Sequence, residues 1–157
     1  MRDLIDLLEK AIGQYAPLYH FTTLDNIRYI LEAGVIYGGS SGCGKVCVTR
    51  DREMLHTKRS CRIEIDANKV RQRFGIEPYD YHNPDRKVTG KGTRRAESEE
   101  RIAGDVPVSM FASITFLKDT GPTLDILRAK DSEKRDRIKA EARRLGIIVI
   151  DETQISV

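Results

Sequence analysis

Tryptophan is absent from this sequence, cysteine occurs three times in 157 residues, and aromatic residues make up only 6%. Long apolar runs are absent too. No stretch approaches the roughly 20 residues that a membrane-spanning helix needs, so no membrane association is expected. The opening segment, MRDLIDLLEKAIGQY, carries acids and lacks the apolar centre of a signal peptide, so a cytoplasmic protein is expected. An odd number of cysteines argues against a closed disulfide framework. Cys43 and Cys47, with His56 and His82 downstream, lack a second pair at ligand spacing, so no metal is expected. Cys47 and Cys61 sit in apolar alternations, where a thiol serves as a small hydrophobe. Neither sign of charge dominates, with 27 Lys and Arg against 24 Asp and Glu. The basic excess is local, in the run from Asp85 to Arg95.

The apolar pattern supplies the elements. Leu4, Ile5, Leu8 and Ile12 predict a helix over 2–14, which Pro17 ends. Leu18 to Phe21 reads as a short strand. Thr22 or Thr23 caps the next helix, which places Leu24, Ile27, Ile30 and Leu31 at helical spacing and stops at Gly34. Residues 38–44 are a glycine-rich loop without the Walker pattern, so this loop alone is a weak phosphate site. Strands are expected over 46–50, 60–66 and 108–117, with a helical turn over 51–55 and a helix over 67–74 closed by Gly75. The segment 76–84 has mixed character. A long charged helix over 123–145 is expected on the surface, followed by a buried strand over 147–150. No repeat or second domain is visible. Short strands with interspersed helices in one domain, 1–157, predict an α+β fold.

Three segments carry chemistry. His20 and Thr22 lie two apart on a strand and share a face where the strand gives way to a helix. Arg50 ends an apolar strand, where its planar fork suits a phosphate or, equally, a surface pair with Asp51 or Glu64. Glu97, Glu99 and Glu100 crowd three carboxylates into four positions, with Arg94 and Arg95 just before them. An ionised glutamate facing a cationic sugar centre stabilises an oxocarbenium-like state. The basic run is a solvated loop that also offers Arg86, Lys87, Lys91, Arg94 and Arg95 to the phosphates of a nucleic-acid substrate.

The order of these segments resembles a known family. It comprises Tyr19-His20-Phe21-Thr22, then Asn26-Ile27 with Ile30-Leu31 and Gly34, then a strand ending in Arg50. A late glutamate ahead of Val106-Pro107 and a final strand complete it. From Leu18 to Phe116 the chain looks like the DarT-type branch of the ADP-ribosyltransferases, and more widely like the diphtheria-toxin-like members. The resemblance implies a core of two small packed β-sheets with peripheral helices, and NAD+ as substrate. It implies that His20 holds a ribose, with the neighbouring Phe21 backbone on the nicotinamide amide and Thr22 as the adjacent polar contact. Asn26 would lie on the adenosine side, and Arg50 would steer dinucleotide and substrate. Glu99 would be catalytic, by its distance from Val106-Pro107 and as the second acid of Glu97-Ser98-Glu99; Glu97 and Glu100 stay open. Beside this, Tyr79 or Tyr81 offers a ring to stack on the ligand, with a core role for at least one of them as the alternative. The implied acceptor is a macromolecule, foremost DNA or RNA, and the implied setting a toxin, phage or defence effector, with a macrodomain-type antitoxin as partner. Two other readings stand beside it: an RNA 2′-phosphotransferase-like enzyme, and a non-catalytic binding module on a degenerate transferase fold.

Overall fold

The computed structural model describes Leu4 and residues 16–38, 44–53, 60–78, 99–118 and 125–154. Strand β1 (Leu18–Thr22) leads through Thr23 into helix α1 (Leu24–Ala33) and the short β2 (Val35–Ile36). Strands β3 (Val46–Thr49) and β4 (Cys61–Ile65) follow, then helix α2 (Ala67–Arg73) and β5 (Ile76–Pro78). Next come β6 (Glu99–Ile102), β7 (Val106–Pro107), a 3-10 turn (Val108–Met110) and β8 (Phe111–Phe116). Helix α3 (Asp125–Arg144), strand β9 (Ile148–Asp151) and a last 3-10 turn (Glu152–Gln154) complete the order.

Among the described residues, seven strands form one sheet in the order β5-β6-β3-β1-β4-β8-β9, and β2 pairs with β7 in a second, much smaller sheet. All neighbours are antiparallel except β8 and β9, which α3 connects in parallel. Alternation sorts the side chains. Leu18, Val48, Ile63, Ile114 and Phe116 face a core closed by Ile27 and Leu31 of α1 and by Ile138 and Ala142 of α3. Each of the larger apolar side chains contributes roughly 1.5–3 kcal/mol on burial, and this face holds the fold together.

Helix α1 is fixed at both ends. The Thr23 hydroxyl accepts the Asn26 amide at 3.2 Å, and Gly34 takes the left-handed conformation (φ 75°) while its N–H reaches the Ile30 carbonyl at 2.8 Å. The Gly34 carbonyl then accepts from Val108 at 3.0 Å, which brings the small sheet against the end of α1.

Several sequence expectations need correction. The strand expected to be buried over 147–150 is the edge strand β9, and Ile148 and Ile150 are 66% and 41% exposed because only its other face meets α3. The long helix does lie on the surface as expected, with only Ile138 of its thin apolar stripe and Ala142 buried among its described side chains. Strands β5, β6 and β7 form where no strand was expected. They are two to four residues long, and β6 begins in an acidic run. The helix expected over 2–14 lies outside the described residues, Leu4 excepted, as does the turn expected over 51–55 beyond position 53.

Candidate active site

β1 lies beside β3, and β3 beside β6. Tyr19 pairs with Thr49, so one step along the antiparallel ladder His20 stands beside Val48, and Val48 pairs with Glu100. His20 and Glu100 therefore share a rank across three strands, on the face that carries the core. Position 99 pairs with Thr49 and belongs to the neighbouring rank.

His20 is half-buried, and its Nδ1 lies 2.9 Å from the Cys47 carbonyl. A carbonyl only accepts, so Nδ1 carries the proton, and Nε2 of the neutral ring is an acceptor. The contact also fixes the ring plane against β3. Alongside it opens a cleft of about 550 Å³, lined by His20 and Thr22 from β1, Asn26, Tyr29 and Ile30 from α1, and Ile36 and Tyr37 at the small sheet. That volume falls within the range of small-molecule sites, roughly 300–1,000 Å³. Tyr29 and Tyr37 are 66% and 56% exposed at this cleft.

Arg50 is half-buried one residue past β3. Its Nε lies 3.0 Å from both carboxylate oxygens of Glu100, and its Nη1 donates to the Ala16 carbonyl. The sequence offered Asp51 or Glu64 as its ion-pair partner; the structure supplies Glu100, fifty positions away. Glu64 instead accepts from the Tyr19 hydroxyl at 3.3 Å, and burial, followed by the Glu64 charge, pushes that phenol above its ordinary pKa. This second network lies on the opposite face of the sheet.

The sequence-derived candidates divide as follows. His20, Thr22 and Asn26 line one cleft. Arg50 and Glu100 form an ion pair on neighbouring strands; among the described residues, the cleft lining includes neither. The Phe21 ring is buried on the opposite side of β1 from His20, because successive strand residues alternate, so its expected cofactor contact falls to its backbone. Glu97, Tyr79, Tyr81 and the basic candidates Arg86, Lys87, Lys91, Arg94 and Arg95 lie outside the described residues. Sequence reasoning missed Tyr29, Ile36 and Tyr37 as cleft residues. Tyr29 was within reach, since it lies three residues after Asn26 and so on the same helical face. Among the described residues no three His, Cys, Asp or Glu side chains gather as metal ligands would, and no helix is long and apolar enough to cross a membrane.

No family model matches the chain, and no curated protein matches it. Among solved structures, DarT from Thermus sp. 2.9 in complex with carba-NAD+ matches with a TM-score of 0.52 at 8% identity, over 88% of this chain and 96% of that one. The chain has the DarT-like ADP-ribosyltransferase fold, with two unequal sheets and peripheral helices.

Proposed function

We propose that the chain, acting as one domain, is an NAD+-dependent ADP-ribosyltransferase with a macromolecular acceptor, foremost a nucleic acid. One observation carries this reading. His20 on β1, Arg50 just past β3 and the acidic pair of β6 belong to neighbouring strands of one sheet and their ends, and His20 lines a cleft of ligand size. Support comes from the shared fold, because the solved DarT holds an NAD+ analogue.

On this reading the adenosine end of NAD+ lies in the cleft against α1, near Asn26, Tyr29 and Tyr37. His20 accepts a ribose hydroxyl at Nε2, with Thr22 beside it, and the Phe21 backbone meets the nicotinamide amide. Arg50 meets the pyrophosphate with its planar fork. A β6 carboxylate accepts the 2′-hydroxyl of the nicotinamide ribose, and its charge stabilises the ribosyl cation as nicotinamide leaves. The acceptor nucleophile then attacks the anomeric carbon. For that carboxylate the register favours Glu100 over Glu99, since position 100 shares the rank of His20. The basic loop candidates, Arg86 to Arg95, serve the acceptor's phosphates.

The test is incubation with labelled NAD+ and a panel of DNA, RNA and protein. Glu100→Gln should lower label transfer about 10²–10³-fold, the usual loss when a charge-stabilising group is removed. Glu99→Gln should leave most of it. The reverse pattern moves the catalytic role to Glu99, and a wild-type protein that neither binds NAD+ nor transfers label overturns the reading.

A further inference from the structure

Behind the cleft, on the opposite face of the sheet, Arg62 of β4 is 4% exposed, and among the described residues it is the one charged side chain so deeply buried. Burying a guanidinium is unfavourable unless its donors are used. Its Nη2 stands 3.9 Å from the Glu152 carboxylate, too far for a good hydrogen bond, and its carbon lies 5.8 Å from the centre of the Tyr19 ring. The contact at bonding distance goes elsewhere: Nη1 donates to the Arg52 carbonyl at 3.2 Å.

Arg52 belongs to the turn that carries Arg50. That turn is held internally by the Asp51 amide on the Thr49 hydroxyl and the Glu53 amide on the Asp51 carboxylate, both at 3.0 Å. Strand β4 is separated from β3 by β1, so Arg62 reaches across the back of β1, over Tyr19, to meet the turn. We propose that Arg62 is a positioning residue, pinning the 50–53 turn from the rear so that the Arg50 guanidinium meets Glu100 and an incoming phosphate on the other side. This rests on the function proposed above.

The test is a double-mutant cycle on NAD+ kinetics with Arg62→Gln, Arg50→Gln and the pair, and Lys134→Gln as a surface control. Arg62→Gln should raise KM for NAD+ about tenfold with kcat within about twofold, and the pair should be no worse than Arg50→Gln alone. Effects that multiply would overturn the proposal. Hydrogen exchange at the amides of residues 51–53 gives a readout that needs no turnover. Exchange there should quicken in Arg62→Gln while β4 stays protected, and unchanged protection would also overturn it. Should Arg62→Gln not fold, Arg62→Lys keeps the charge beside Tyr19 but loses the fork, and the same assays should move in the same direction. A wild-type protein without NAD+ turnover counts against the function, while the exchange measurement still decides the role of Arg62.

Discussion

Cys61 and Glu100 are both strand residues facing the core side, and burial treats them differently. Burial pushes the Cys61 thiol up to about 12, outweighing the Ser60 hydroxyl and the Arg135 charge, which both act to lower it. Only the thiolate attacks alkylating reagents, so Cys61 should resist iodoacetamide at pH 8 in the folded protein and react once urea unfolds it, as read by peptide mass. Glu100 is partly sheltered as well, and it pairs with the Arg50 guanidinium at 3.0 Å. At this scale the sequence was legible where a local rule applied. Strand parity placed His20 and Thr22 on one face, and Asn26, which only the family resemblance had offered, lines the same cleft. The partner of Arg50 was not legible, because no local pattern links it to an acid on β6, and strand register decides between adjacent glutamates.

Helix α1 was readable almost to the residue, since its caps are local chemistry. Thr23→Ala removes the hydroxyl that accepts the Asn26 amide and should lower stability by about 1 kcal/mol. Gly34→Ala puts a Cβ on a left-handed residue (φ 75°) and should cost about 1–2 kcal/mol, although nothing within 4 Å would touch it. Urea denaturation of both variants checks this, and an unchanged Gly34→Ala would show that the turn relaxes. Strands β5, β6 and β7 were invisible for the opposite reason. They are short, β6 opens with two glutamates, and their pairing partners stand far away in sequence. Sheet membership there comes from tertiary pairing, which outweighs local preference. Strand β9 looked like a core strand because four apolar residues run together, but that pattern does not say how many sides are covered.

Across the whole molecule, Lys139 of α3 meets Asp151 of β9 at 2.7 Å and so ties the last helix to the edge of the large sheet. Burial pushes the Asp151 carboxyl up, but the Lys139 ammonium and the hydroxyl and amide of Thr153 outweigh it and hold the group below its ordinary value of 3.8. A carboxyl depressed on folding adds stability above its unfolded pKa, and that stability is lost as pH falls through the lower folded value. Asp151→Asn should therefore unfold more easily at pH 7, by about 1–2 kcal/mol, and the gap should close in strong acid. Urea titrations of both proteins at neutral pH and near pH 2 read the difference, and a gap that persists in acid would refute the linkage.

Translation delivers the middle strand of this sheet first, and the edge strand β5 before the β6 that joins it to the rest. β1 emerges early and waits for β3 and β4, while β6 arrives only at residue 99. A nascent chain stalled before that point carries the residues that line the cleft but neither β6 acid. On the proposed mechanism, a ribosome-bound fragment that stops short of β6 is chemically silent.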